Sequence, residues 1–269
     1  MTGAIFSPLK TRKLGRTNVR VTELGLGTAP LGELFDKVED AEAAAVIGAA
    51  WDGGVRYFDT SPWYGRGLAE HSLGRALHRK PRDQFFISTK IGRVLRRPLG
   101  PNAIKDQWLG GLEFQTVFDY GYDGVMRSFE DSLQRLGINR VDVLLIHDLD
   151  PWDHNPATLD AYFTQLKTGG WKALAELREA GVIGGIGAGF NSIGSIPRFL
   201  DLFDMDFFLL AMRYTLLEHD VLESEFPRCE ERASGSSLAA ATIPGFSRPA
   251  PFGARCTITR RPAPRSSIG

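Results

Sequence analysis

Cysteine is nearly absent from this chain. Cys229 and Cys256 stand far apart with no CxxC partner, which argues against a disulfide framework or a zinc site and leaves both as incidental. Net charge is absent as well. With 32 basic residues balancing 32 acidic ones, neither nucleic acid nor an anionic membrane is expected as the main partner. No stretch approaches the roughly 20 apolar residues of a membrane span, and residues 1–10 lack the apolar core of a signal peptide. A cytoplasmic protein without a metal centre is the expectation. One local absence bears on the fold. A doubly wound open sheet usually shows a glycine-rich phosphate turn behind its first strand, but Gly25-Leu26-Gly27 has no third glycine and no helix directly after it.

What the chain does contain is a hydrophobic content of 43% over 269 residues, enough for the core of one barrel of alternating strands and helices. Residues 13–21 alternate around Thr17-Asn18 and predict an N-terminal β-hairpin. Short apolar runs at 24–28, 55–59, 85–90, 141–147, 183–188 and 207–212 read as strands buried on both faces. Between them, 40–51, 68–78, 125–136, 159–180 and 196–203 carry apolar residues at helical spacing, and a last helix is expected at 222–231. Alternating strands and helices imply parallel pairing. The fold class is therefore α/β, a (β/α)8 TIM barrel with about six β/α units recognisable. The connection from 92 to 123 is too long for an ordinary loop. Its Trp108, Phe114, Phe118, Tyr120 and Tyr122 predict a lid over the mouth or a flap packed on the rim.

Active sites of such barrels lie at the C-terminal ends of the strands. Three predicted strands end on Asp59, Lys90 and His147, and Tyr64 follows Asp59 closely enough to fold back over it. A phenol, with a reference pKa of about 10, handles protons poorly at neutral pH unless a cation stabilises its phenolate, and Lys90 supplies that cation. Asp59 supplies the counter-charge that a lysine needs in a partly dry pocket. His147 can hydrogen-bond a substrate oxygen. Each residue alone is more often structural than catalytic; their joint placement carries the reading. Such a set moves a proton on and off an alcohol or carbonyl oxygen. No side chain carries hydride, so a nicotinamide cofactor is implied.

Phe58-Asp59-Thr60-Ser61-Pro62-Trp63-Tyr64-Gly65, Glu70-His71-Ser72-Leu73-Gly74-Arg75-Ala76-Leu77, Ser88-Thr89-Lys90 and Leu145-Ile146-His147-Asp148 together resemble the aldo-keto reductases, up to about Arg232. The resemblance implies an eight-stranded barrel with NAD or NADP extended across its mouth. It further implies the tetrad Asp59, Tyr64, Lys90 and His147, with Tyr64 as general acid or base. Gly27, Thr28 and Asp59 would lie beside the cofactor, and Asn191 would be a displaced substitute for the residues that hold its carboxamide. The wording of 60–65 and of Ala211-Met212-Arg213-Tyr214-Thr215-Leu216-Leu217 is similar to that family's aldose and pyridoxal dehydrogenases. That implies oxidation of a cyclic hemiacetal to a lactone, the small-molecule substrate being an aldose such as L-fucose or a D-threo-aldose, or pyridoxal. Two other readings compete: a Schiff-base aldolase using Lys90, and a non-catalytic barrel subunit.

The end of the chain is different in kind. Residues 233–269 contain no Asp, Glu or Lys, and Pro244, Pro249, Pro251, Pro262 and Pro264 punctuate them. They read as a low-complexity, disordered tail behind a barrel unit of residues 1–232. The abrupt change predicts a reading-frame shift in the coding sequence near Arg232. On that reading strands seven and eight, which usually build the phosphate site, are missing. The sheet then keeps unpaired edges, and the chain is expected to be poorly soluble or cofactor-deficient.

Overall fold

The computed structural model describes residues 8–100, 103–104, 106–215, 218–239 and 255–260. It opens with the hairpin, β1 (Thr11–Lys13) antiparallel to β2 (Arg20–Thr22). Thr17 closes the turn: its hydroxyl donates to the Leu14 carbonyl at 2.6 Å and accepts from the Val19 N–H at 3.1 Å. The alternating units then follow in order. They are β3 (Leu24–Gly27) with α1 (Asp40–Asp52), then β4 (Tyr57–Asp59) with α2 (Leu68–Leu77). Next come β5 (Phe86–Arg96), β6 (Gln115–Asp119) and α3 (Tyr122–Leu136), followed by β7 (Val143–His147), α4 (Pro156–Gln165) and α5 (Trp171–Glu179). The chain continues through β8 (Ile186–Phe190), α6 (Ser195–Leu202), β9 (Phe207–Ala211), α7 (Val221–Ser224) and α8 (Phe226–Glu231). Last are β10 (Gly235–Ala239) and β11 (Arg255–Arg260).

Strand alternation decides what lies inside. On β4, β5 and β7, Phe58, Ile87, Thr89, Leu144 and Ile146 face the helices, and their apolar members join the main core with Leu73, Val125, Phe129 and Leu174. The opposite set, Tyr57, Val143, Leu145, Phe207 and Leu209, fills the barrel interior, where Leu14, Val19 and Val21 of the hairpin pack against it from below. Between α2 and α3 the buried Glu70 carboxylate accepts from Thr89 Oγ1 at 2.7 Å and pairs with Arg135 at 2.5 Å. A side chain at Gly74 would strike the Leu136 carbonyl, so glycine lets these two helices touch.

The architecture is an incomplete (β/α)8 barrel: six β/α units are followed by β10 and a reversed β11. The expected structureless tail needs correction in two places. β10 lies parallel beside β9, and β11 lies antiparallel between β10 and β3, so both edges of the six-unit sheet have partners and are not open. Gly235 explains how so weak a strand sequence docks. A Cβ there would stand 2.6 Å from the Gly15 amide, while its own N–H donates to the Asp206 carbonyl at 2.9 Å. The remaining tail expectation, disorder at 240–254 and 261–269, falls outside the described residues, as do Leu216 and Leu217.

Three element boundaries also differ from the sequence reading. β5 runs on past Lys90 to Arg96 and is joined antiparallel by β6, so the long connection is partly a hairpin. Gly92, at φ +103°, allows this because the Tyr120 ring occupies the space of its missing side chain. The single helix expected at 159–180 is two helices joined by a π turn at Leu166–Gly170, where Gly170 meets the Tyr120 carbonyl. The helix expected at 222–231 breaks at Glu225, whose buried carboxylate accepts from the N–H groups of Gly194 and Ile196 at the start of α6. No helix among the described residues is long and apolar enough to cross a membrane.

Candidate active site

Asp59, Lys90 and His147 share one parity. Asp59 and His147 face the interior at the C-terminal ends of β4 and β7, Lys90 does so from within β5, and the register Asp59↔Ser88 and Lys90↔Leu145 sets them in neighbouring positions. Lys90 is almost fully buried and all three of its N–H bonds are used. One goes to Asp59 Oδ2 at 2.7 Å, one to the Thr60 carbonyl at 2.7 Å and one to the Tyr64 hydroxyl. Burial pulls the Lys90 ammonium towards deprotonation, but Asp59 and Tyr64 outweigh it, so its pKa ends above the ordinary lysine value. Asp59 Oδ1 accepts from Ser88 Oγ at 2.6 Å, and Ser88 Oγ lies 3.1 Å from the Tyr57 hydroxyl. Burial, and then the Asp59 charge, push the Tyr57 phenol far above its ordinary range, which keeps it a neutral prop.

Tyr64 arrives by a tight turn. Gly65 and Arg66 both take left-handed φ values, and Arg66 ties the turn to the long connection through Asp106 at 2.5 Å, the Gly110 carbonyl at 2.8 Å and the Leu112 carbonyl at 2.6 Å. That strap carries Trp108 over the site, with its ring 5.9 Å from Tyr64 and 5.6 Å from Trp63. The connection is thus both a cover for the mouth and a packed flap. The phenol ring lies 4.8 Å from Lys90 Nζ and edge-on to His147 at 5.8 Å.

His147 is buried, and burial, then the Lys90 and Arg93 charges, hold its pKa well below the ordinary histidine value. The sign of its effect on stability follows. Above about pH 6.5 folded and unfolded chains both carry it neutral; below that the unfolded chain takes up a proton that the folded site refuses. Stability therefore falls with falling pH, at up to about 1.4 kcal/mol per unit. Asp153 works the other way: burial and the Asp148 carboxylate raise it to about 6, so it gains its proton more readily when folded. Comparing wild type with His147→Gln cancels the Asp153 contribution. The variant should show a flatter loss of stability in urea titrations between about pH 6.5 and 5. An unchanged slope would mean that His147 accepts its proton in the folded protein.

The four catalytic candidates meet around a cleft of about 370 Å³, walled by Trp63, Trp108, Trp152 and Phe35. The cofactor candidates divide. Gly27, Asp59 and Asn191 line the cleft, whereas Thr28 is fully buried and its hydroxyl donates to the Asp59 carbonyl at 3.1 Å. The sequence reading missed Ser61, Arg93 and Asp148 as site residues. Ser61 Oγ lies 3.1 Å from His147 Nδ1, and the Asp148 carboxylate lies 3.4 Å from His147 Nε2 while Arg93 holds it at 2.6 Å. The one signal was Asp148 following His147 directly; Arg93, three residues beyond Lys90, is out of phase with the inward-facing positions and gave none.

The match to the aldo/keto reductase family spans residues 23–243. The chain belongs to that family. The aldo/keto reductase match extends beyond Arg232, where the sequence reading stops it, and takes in β10. Over 85% of its length the chain is 46% identical to pyridoxal 4-dehydrogenase of Microbacterium luteolum, and over 83% it is 38% identical to D-threo-aldose 1-dehydrogenase of a Pseudomonas species. The aligned stretches amount to 69% and 66% of those proteins. An aldo-keto reductase from Bacillus halodurans superposes with a TM-score of 0.66 over 92% of this chain and 74% of that one; its identity of 21% speaks to the fold alone. As an aldo/keto reductase, the chain is an NAD(P)-dependent oxidoreductase.

Proposed function

We propose that this chain oxidises the anomeric carbon of a cyclic hemiacetal, an aldose such as L-fucose or a D-threo-aldose or the hemiacetal form of pyridoxal, to a lactone. The observation that carries the reading is the clamp on Lys90, whose ammonium is shared between the Asp59 carboxylate and the Tyr64 hydroxyl with neutral His147 opposite. An ammonium hydrogen-bonded to the phenol oxygen stabilises negative charge there, so Tyr64 can take the proton of the anomeric hydroxyl as the C–H bond of the same carbon breaks. His147 keeps one N–H for the developing carbonyl oxygen.

A nicotinamide group, NAD or NADP, supplies the hydride acceptor when bound. The cleft fits such a ring. Gly189 leaves open the place where a Cβ would stand 3.7 Å from Lys90 Cε, and Asn191 offers a carboxamide on the same wall. The size suits a flat ring with a monosaccharide-sized partner. Exposed Trp152 and Phe35 at the rim offer flat apolar faces to either candidate substrate. The relatives' names, a pyridoxal and an aldose dehydrogenase, support the same class.

Schiff-base chemistry is the weaker reading, because it needs a neutral amine and the Lys90 ammonium is held charged with every N–H engaged. A screen of L-fucose, D-threo-aldoses and pyridoxal against NAD and NADP should show growth of the reduced nicotinamide absorbance. Silence with every pair, in a sample whose fluorescence shows cofactor binding, would reject the proposal. Borohydride trapping of a carbonyl adduct on Lys90 would favour the aldolase instead.

A further inference from the structure

Asp148 breaks the alternation of its strand. The residue after an inward His147 should face outward to the helices, yet Asp148 takes a left-handed conformation at φ +50° and its carboxylate lines the cleft. Left-handed backbone is unfavourable for a residue with a Cβ, and Asp tolerates it better than most. The turn is secured by the Asp148 N–H donating to the Gly189 carbonyl at 2.9 Å. Its result is that one oxygen, Asp148 Oδ2, lies 3.4 Å from His147 Nε2 and 2.6 Å from Arg93 Nη2. Arg93 is itself buried. Its guanidinium is sandwiched 4.4 Å from the Trp63 ring and 4.3 Å from the Phe118 ring, and it also reaches Asp153 at 3.1 Å. It does not line the cleft, so it acts on the reaction through Asp148.

We propose that Arg93 is a positioning residue which, by holding the Asp148 carboxylate, fixes His147 as the tautomer with its hydrogen on Nε2. The argument is one of donors and acceptors. The Asp148 carboxylate stands 3.4 Å from Nε2 without being hydrogen-bonded to it, and its negative charge favours the hydrogen on that nearer nitrogen while leaving the N–H free for the cleft. Nδ1 is then an acceptor, and Ser61 can supply it: Ser61 Oγ already accepts from the Trp63 N–H at 3.1 Å and keeps its own hydrogen for the imidazole. The Tyr120 hydroxyl donates to the His147 carbonyl at 2.6 Å and pins the backbone from the other side. Nε2–H is the hydrogen that a substrate oxygen needs. Arg93 thereby sets the chemical face that His147 shows to the cleft.

The proposal rests on the reading of His147 as the group that meets the reacting oxygen, but its test does not need turnover. In ¹⁵N-histidine-labelled protein, the signals of His147, assigned by their loss in His147→Gln, should report a single Nε2–H tautomer at neutral pH. Asp148→Ala removes the carboxylate while leaving Arg93 its pairing with Asp153, so the fold should hold. The His147 signals should then collapse towards an average of two tautomers. Arg93→Met should do the same, and Arg93→Lys should restore the single tautomer in part. In turnover, both disruptive variants should lower kcat on the order of 10²-fold with little change in KM, as misplacing a reacting contact does. Wild-type ¹⁵N signals for His147 in Asp148→Ala would overturn the proposal, whatever the activity assay shows.

Discussion

Tyr64→Phe is expected to lower kcat by roughly 10²- to 10⁴-fold, the range that a positioned proton acceptor contributes. The variant keeps the ring and loses one oxygen. The contacts of that ring with Trp108 at 5.9 Å and His147 at 5.8 Å remain, and Lys90 still has the Asp59 carboxylate and the Thr60 carbonyl. The melting temperature should therefore stay close to that of wild type, which separates lost chemistry from lost structure. KM should change little if the cleft walls supply most of the binding. Steady-state kinetics beside a thermal melt check both halves, and a variant that turns over at the parental rate would remove Tyr64 from the mechanism.

Lys90→Met should cost both activity and stability. It leaves the Asp59 carboxylate buried with Ser88 as its remaining side-chain partner, and breaking a buried ion pair from one side typically costs about 3–5 kcal/mol. The ammonium is charged at neutral pH, since the raised pKa of Lys90 keeps this pairing intact below the ordinary lysine range and surrenders it only as pH climbs through the higher folded value. Adding Asp59→Asn removes the stranded charge. The double variant should regain much of the lost urea stability and none of the turnover. If the single variant unfolded at the wild-type urea concentration, the pair would have no structural weight; if the double variant regained turnover, Lys90 would have no part in catalysis.

Those two residues were legible in the sequence because they obey simple periodicity. Asp59 and Lys90 follow apolar, β-branched or aromatic residues at the alternating position that points inwards, and barrel logic then brings parallel strand ends together. Arg93 was illegible for the opposite reason. A charged residue directly after a glycine reads as the end of a strand, and its burial depends on Asp148, whose left-handed turn no spacing announces. β10 was missed because Gly235-Ser236-Ser237-Leu238-Ala239 has little β propensity. It is held in place by Ser234 Oγ donating to the Met205 carbonyl at 2.8 Å and by the backbone contact with Gly15. The domain division at residue 232 is proposed on the abrupt change of composition at the point where the sequence resemblance ends. The family match continues to 243, and the proposed frame shift near Arg232 is tested by resequencing the gene.

The hairpin beneath the barrel carries a consequence for traffic. Leu14, Val19 and Val21 close the floor against Tyr57, Val143, Leu145, Phe207 and Leu209, so the buried Lys90 and Asp59 have no back door among the described residues. Among the described residues, the tryptophan-walled mouth is the open approach to them. Two ligands that share one doorway must queue: the one lying deeper enters first and leaves last, an order imposed by the plugged end of the barrel opposite the chemistry.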